Sequence, residues 1–187
     1  SSAGWNGVER MQRACDPAAL GLFRALFASL REGYMTVWVK RGKGSRTYWL
    51  DLSAKDALTQ AAKVAQRADA EGYDVYFSTC PGRERRSDRQ RIRNQDALCV
   101  VAFVMDIDTQ EDPAKAGKSV AADVPEAERA LEALPLPPSA TVHSGHGVHG
   151  YWFLDAPARI DNAEGFARID RIRRAFVKAV AGVTGWA

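Results

Sequence analysis

The chain contains one stretch, residues 97–107, that is almost entirely apolar, and this stretch constrains the fold more than any other feature. Its sequence is ALCVVAFVMDI. Because its apolar residues do not alternate with polar ones, it predicts a central strand that is covered on both faces. Helix and strand patterns interleave around it, so we expect one mixed α+β fold within the 187 residues of the chain.

Five elements are predicted before this strand. A helix begins at Asp16-Pro17, where an aspartate cap precedes a proline at the first helical position, and its apolar spacing runs to Gly33. Strands are predicted at residues 34–40 and 46–50, with a turn between them. Ser53 is the predicted cap of a second helix, which leads to a short strand at 74–77.

The region after the apolar strand predicts two helices and two strands. A short helix is expected at 125–134, followed by strands at 140–143 and 148–154 that a glycine-rich turn joins. Asp161 and Glu164 have the spacing of a capping box, so the last helix is expected to begin there.

Composition excludes several classes of protein. With 46% hydrophobic and 26% charged residues, the chain is typical of a protein with a buried core, not of a disordered, fibrous or membrane protein. Residues 1–4 (SSAG) lack the basic start and apolar run of a signal peptide. Cys15, Cys80 and Cys99 are odd in number and form no C-x-x-C motif, so we expect reduced thiols in a cytoplasmic protein.

Charge is concentrated in residues 83–93, whose sequence is RERRSDRQRIR. Two interpretations are open for this segment. It is either a mobile, solvated loop or a site where guanidinium groups bind phosphates of a nucleotide or a nucleic acid. The arginines concerned are Arg83, Arg85, Arg86, Arg89, Arg91 and Arg93.

The apolar strand ends in Asp106-Ile107-Asp108, and two carboxylates spaced by two residues on a strand point to the same side. Such a pair would raise each other's pKa unless a cation compensated their charge. Mg²⁺ is commonly held by one or two carboxylates together with substrate phosphates. The alternative is a strand end where acidic residues meet solvent.

Residues 142–153 (VHSGHGVHGYWF) carry all three histidines, and three interpretations are open for them. The histidines are incidental to a hairpin turn, they bind a transition metal, or the turn at 144–147 holds a phosphate with help from Ser144 and His149. Glycines disfavour a helix here, and the histidines of a hairpin need not converge. The three are His143, His146 and His149.

The sequences FVMDIDTQ and HSGHGVHGYWFL, in this order, resemble the first two motifs of the archaeo-eukaryotic primase superfamily. These motifs are an apolar strand that ends in D-x-D, and a turn of the form S-G-x-G-x-H. The upstream sequence REGYMTVWVKRGKGSRTYWLDLS and the arginine-rich segment are similar to the RepB-like primases of plasmids and phages. The resemblance covers residues 23–176.

The resemblance implies a fold and an activity. The fold would be an RRM-like antiparallel sheet at about 96–187 that carries both motifs, next to an N-terminal α/β unit at about 16–95. The activity would be that of a DNA primase or primase-polymerase, with template-directed, two-metal nucleotidyl transfer in the replication of a plasmid, phage or other mobile element. Partners would be nucleoside triphosphates, a single-stranded DNA template and a fused or recruited helicase or relaxase, without a membrane.

The resemblance also implies roles for single residues. Asp106 and Asp108 would hold Mg²⁺ or Mn²⁺, and His149 would take part in catalysis and, with Ser144, Gly145 and Gly147, would bind the phosphates of the nucleotide. The arginines of 83–93 would bind a second nucleotide or the template. A third carboxylate is expected beyond residue 187, so we expect this chain to bind cation and nucleotide but to synthesise primers poorly.

Two other functions are compatible with the same residues. The first is a nucleic-acid-binding domain with a degenerate active site, which would stack bases on Trp152, Tyr151 or Trp49 and would bind DNA without a metal. The second is a metal-dependent nuclease or hydrolase that combines the histidines with Asp106 and Asp108, and tightly bound zinc or iron would favour it.

Overall fold

The structure is a computed structural model that describes residues 16–111, 114, 118–145 and 147–186. It is a mixed α+β fold with two three-stranded antiparallel sheets, which confirms the predicted class. The chain divides into two compact units. Unit 1 contains the described residues through Phe77 together with Arg85–Arg91, and unit 2 contains Ser78–Glu84 and the described residues from Ile92 onward.

Unit 1 contains the five elements predicted for the first part of the chain. They are α1 (Pro17–Phe27), β1 (Tyr34–Arg41), β2 (Gly44–Asp51), α2 (Ala57–Ala70) and β3 (Asp74–Phe77). The strand order is β2-β1-β3, with both neighbours antiparallel to β1.

The predicted ends of the two helices of unit 1 are partly wrong. Asp16 caps α1 as predicted, since its Oδ1 accepts from the Ala18 amide at 2.9 Å, but α1 ends at Phe27, before Gly33. Ser53 does not cap α2. Its amide and hydroxyl both donate to Asp51 Oδ1, so its side chain closes the turn after β2 and α2 begins only at Ala57.

One face of the sheet in unit 1 forms its core. Met35, Val37 and Val39 alternate along β1 and are buried. Phe77 pairs with Val37 across the sheet and contacts Phe23 of α1 at a ring distance of 5.1 Å, which identifies the face that the helices cover. The side chains between these residues point to the opposite face.

Unit 2 contains β4 (Cys99–Asp108), α3 (Val124–Glu132), β5 (Ala140–His143), β6 (Gly147–Arg159) and α4 (Ala163–Thr184). The strand order is β4-β6-β5, and every pairing is antiparallel. The predicted strands and helices are all present. β6 extends beyond its predicted end at residue 154 because pairing resumes after a bulge, where Val100 pairs with Ala158.

Two predictions for unit 2 are wrong. The apolar strand β4 is not the central strand of the sheet, because β6 lies between β4 and β5. Its uniform apolarity reflects the burial of its first four residues, 99–102, whose side chains alternate between the two faces of the sheet. Asn162, not Asp161, caps α4, since its Oδ1 accepts from the Gly165 amide at 2.8 Å.

The core of unit 2 lies between α3, α4 and one face of its sheet. Ile107, Val148 and Trp152 of the sheet cluster with Leu131 and Val180 of the helices. Among the described residues, Cys80 and Cys99 form no disulfide, and burial raises the pKa of the Cys80 thiol. Cys15 and residues 1–4 lie outside the described residues. Among the described helices, none is long and apolar enough to cross a membrane.

Candidate functional site

The predicted carboxylates and one histidine lie on the face of the unit 2 sheet that α3 and α4 do not cover. Ile107 and Val148 point into the helix-packed core, so their neighbours Asp106, Asp108 and His149 point to the other side. Asp106 pairs directly with His149 across the antiparallel strands, and the distance from His149 Nε2 to Asp106 Oδ1 is 3.2 Å. The two motifs that are far apart in sequence therefore meet at one end of the sheet.

Gly147 brings these strands together in a way that no other residue could. It pairs with Asp108, and a Cβ atom at this position would lie 2.4 Å from the carbonyl oxygen of Ile107. Any side chain would therefore push β6 away from the carboxylate strand. The glycine is required for close approach of the two backbones.

The turn between β5 and β6 is closed by a backbone hydrogen bond in which the Ser144 amide donates to Gly147 O at 3.0 Å. Gly145 has a φ of +105°, a conformation that favours glycine. Ser144 and Gly145 are exposed, whereas Gly147 is buried in the strand pairing. Of the four predicted phosphate-binding residues, two thus lie at the exposed tip of the hairpin, Gly147 lies at its base, and His149 lies two residues further along β6.

Tyr151 lies on the same face as His149, two residues further along β6, and is 2% exposed. Burial and the charge of Asp106 raise the pKa of Tyr151 to about 12. The phenol therefore stays neutral at physiological pH next to the acidic pair. Asp106 itself is exposed, with 63% of its side chain accessible.

The described histidines do not converge on one metal. His143 pairs with Val148 in the sheet and therefore points to the opposite face from His149. Its Nε2 lies 2.7 Å from Glu128 Oε1 of α3. His146 lies outside the described residues. A transition-metal site that used both His143 and His149 is thus excluded by the strand geometry.

The side chains at this end of the sheet supply two carboxylate ligands for a cation such as Mg²⁺, but not a complete set. Within the described ranges, no group of three or more His, Cys, Asp or Glu side chains is arranged to hold a metal ion. Asp106 and Asp108 supply carboxylate oxygens on one face, which are ligands that Mg²⁺ and Mn²⁺ accept. Such a pair fits a cation that a second group, such as a phosphate, also coordinates.

The arginine-rich segment is divided between the two units. Arg85, Arg86, Arg89 and Arg91 belong to unit 1, and the other two, Arg83 and Arg93, belong to unit 2. Residues 85–91 are attached to the outer edge of β2. The Thr47 amide donates to Asp88 O at 2.7 Å, and the Trp49 indole donates to Ser87 O at 3.0 Å.

An aromatic cluster in unit 1 was not predicted as a site. On the face away from the helices, Trp38 pairs with Tyr76 of β3, and their ring centroids are 4.9 Å apart. The guanidinium of Arg91 lies 4.4 Å from the centroid of Trp38. The period of two in β1 places Trp38 on this face, but nothing in the sequence indicated that Arg91 would reach it.

The three residues that the sequence suggested for base stacking are less accessible than Tyr76. Tyr151 and Trp152 are both buried, and the Trp152 indole donates to Leu136 O at 2.9 Å. Trp49 is half-buried and uses its indole N–H to hold the arginine-rich segment. Stacking on Tyr151 or Trp152 is therefore excluded unless unit 2 rearranges.

Comparison of the chain with models of protein families, with curated proteins and with solved structures finds no significant match in any of the three. The resemblance to the primase superfamily therefore stays a prediction that rests on the two motifs.

Proposed function

We propose that the chain is a primase-polymerase domain of the archaeo-eukaryotic type, similar to the RepB-like primases, and that it transfers nucleotides to a growing strand on a single-stranded DNA template. The observation that carries the proposal is the direct pairing of Asp106 with His149, which joins the D-x-D motif to the S-G-x-G-x-H motif on one face of a sheet.

Each residue of the site has a role that follows from its position. Asp106 and Asp108 would hold Mg²⁺ or Mn²⁺, which when bound would acidify the attacking hydroxyl and neutralise the triphosphate. His149 of β6 is directly opposite Asp106, so its imidazole would be close to a phosphate of a nucleotide whose cation the carboxylates hold. Ser144, at the exposed tip, offers a hydroxyl to the same phosphates.

The hairpin supports this assignment through its backbone. Since Gly147 allows β6 to lie against β4, the carboxylates and the hairpin stay within reach of one nucleotide. Positioning of this kind supplies much of the catalysis in phosphoryl and nucleotidyl transfer. Arg83 and Arg93 of unit 2 are exposed cations that could bind phosphates of the nucleotide or template.

The test is a titration of a fluorescent nucleoside triphosphate with the chain, in Mn²⁺ and in EDTA, followed by anisotropy. We expect binding in Mn²⁺ only, and His149→Ala should weaken it about tenfold or more, since a hydrogen bond to a charged group contributes about 1.5–3 kcal/mol.

His143→Ala is the matched control, because His143 is on the same hairpin but on the opposite face. It should leave nucleotide affinity unchanged. Nucleotide binding that is equal in EDTA, or equally weakened by the two histidine variants, would contradict the proposed site.

A further inference from the structure

We propose that the face of the unit 1 sheet that carries Trp38 and Tyr76 binds single-stranded DNA, by stacking an unpaired base on the exposed Tyr76 ring, which Trp38 supports, and by holding the backbone with the arginines of residues 85–91. The inference rests on the proposed function for the identity of the strand as a template. The surface itself is argued from unit 1 alone.

The aromatic residues form a platform that runs across the strands. Trp38 is in the central strand, and Tyr76 is directly opposite it in β3, which in the described part of unit 1 pairs with β1 only. Tyr76 is 48% exposed, which is unusual for a large aromatic side chain. The planes of the two rings are inclined by 39°, so Trp38 supports Tyr76 from one side and the exposed Tyr76 ring is the one on which a base can stack.

The cations are placed around this platform by specific contacts. The segment 85–91 contains four arginines and one aspartate. Its attachment to Thr47 and Trp49 places Arg91 over the Trp38 ring, 4.4 Å from the centroid. A guanidinium over a ring remains charged, and its N–H groups can donate to phosphate oxygens.

The single acidic residue of the segment does not cancel this charge. The carboxylate of Asp88 lies 3.8 Å from Nε of Arg46 of β2, which pairs with Val39 and therefore lies on the helix-covered side of the sheet. Lys40, on the same face as Trp38, is directly opposite Asp74 across the sheet, so this pair adds no net charge and the positive charge near the rings comes from the arginines of residues 85–91. The balance around the rings therefore favours a polyanion.

A single strand fits this combination better than a duplex or an acidic peptide does. A duplex presents phosphates but keeps its base faces stacked internally, so the exposed Tyr76 ring would contribute nothing to binding it. An acidic peptide would use the arginines, but it has no unpaired bases to stack on Tyr76. Unpaired bases with phosphates between them use both features.

The experiment measures the anisotropy of fluorescein-labelled oligo(dT) with the full chain at several salt concentrations. Tyr76→Ala should raise the Kd for oligo(dT) about tenfold, as expected for loss of one stacked base. Tyr76→Phe keeps the ring and should bind like the wild type. Arg91→Gln should weaken binding and flatten its salt dependence, whereas Arg24→Gln, an exposed arginine on α1, should do neither.

Three results would contradict the proposed DNA-binding surface. In the first, Tyr76→Ala binds oligo(dT) like the wild type, and in the second, Tyr76→Phe loses as much affinity as Tyr76→Ala. In the third, the wild type binds duplex DNA or an acidic peptide as tightly as oligo(dT). Nucleotide binding in Mn²⁺ is measured on the same variants. If the wild type binds oligo(dT) through Tyr76 but binds no nucleotide, the proposed function is contradicted and the DNA-binding surface is supported. If the wild type binds nucleotide, and its binding of oligo(dT) does not depend on Tyr76, the proposed function is supported and the DNA-binding surface is contradicted.

Discussion

The two sheets have the same plan but carry opposite chemistry. Each consists of three antiparallel strands with helices on one face, and in each the helix-covered face is apolar. On the other face, unit 1 carries aromatic rings with arginine beside them, as in the contact of Arg91 with Trp38. Unit 2 carries carboxylates beside a histidine, as in the contact of Asp106 with His149.

The difference shows how a small sheet separates stability from function. Because side chains alternate along a strand, one face can form the core while the other is free to vary. A face of rings and cations attracts a polyanion, whereas a face of carboxylates attracts a metal ion and excludes a polyanion that lacks one. Substitutions on the two faces should therefore affect different ligands.

The largest expected effect is on the hairpin of unit 2. Gly147→Ala should lower the free energy of unfolding by about 1–3 kcal/mol, because its Cβ would overlap the Ile107 carbonyl and force the strands apart. The measurement is a urea denaturation curve. The matched control is Gly182→Ala in α4, where a Cβ meets open space, and this change should instead stabilise the protein by up to about 1 kcal/mol.

If both glycine variants had the same stability as the wild type, the close packing of β6 on β4 would be refuted. Nucleotide binding by Gly147→Ala should also fall, whereas binding of oligo(dT) should not.

A smaller effect is expected at the helix caps, where the units also differ. Asp123 caps the N-terminus of α3 in unit 2, where its Oδ1 accepts from the Glu126 amide at 2.8 Å. Asp123→Ala should therefore lower the free energy of unfolding by about 1 kcal/mol. Asp56 precedes α2 in unit 1 and accepts from the Gln60 side chain instead of a backbone amide of the first turn.

Asp56→Ala should accordingly change stability by less than about 0.5 kcal/mol. Urea midpoints of the two variants test the contrast, and an equal loss in both would contradict it.

The smallest effect is electrostatic and concerns Tyr151. Its pKa is raised to about 12, so between pH 10 and 12 the unfolded chain releases a proton that the folded chain keeps, and stability falls as the pH rises through this window. Asp106→Asn removes the smaller of the two causes. The pKa of Tyr151 should move down but stay above 10, because burial remains.

Tyrosinate absorbance against pH measures this shift, with Tyr151→Phe to assign the late-titrating residue and Asp155→Asn as the control carboxylate on β6. A tyrosine that titrates identically in wild type and Asp106→Asn would show that the carboxylate does not act on the phenol.

Local patterns predicted the elements better than they predicted the contacts between them. Hydrophobic patterns, capping residues and turn residues identified the four α-helices and six strands, but not the short 3-10 helix at Asn94–Asp96, and the alternation of a strand placed Asp106 and Asp108 on one side. The pairing of Asp106 with His149 depends on strand register, which the close approach at Gly147 helps to determine. The residues of either motif alone do not predict this register between β4 and β6.

The errors have similar physical causes. Asp161 and Asn162 are neighbours with equally good capping side chains, and only the three-dimensional path decides which one reaches the Gly165 amide. Ser53 has a side chain that could cap α2, but its hydroxyl donates to the nearer carboxylate of Asp51. For the segment 83–93 the sequence left a solvated loop and a phosphate-binding site open, and the attachment of residues 85–91 to β2 uses backbone groups that composition does not reveal.

The most direct test of the central claim measures Mn²⁺ itself, through the electron paramagnetic resonance signal of the free ion, with and without a nucleoside triphosphate. Because Asp106 and Asp108 provide only two carboxylates, we predict tight Mn²⁺ binding by the wild type when the nucleotide is present, and its loss in Asp106→Asn/Asp108→Asn but not in Asp155→Asn. Equal Mn²⁺ binding by all three proteins would contradict the claim that these carboxylates form the cation and nucleotide site.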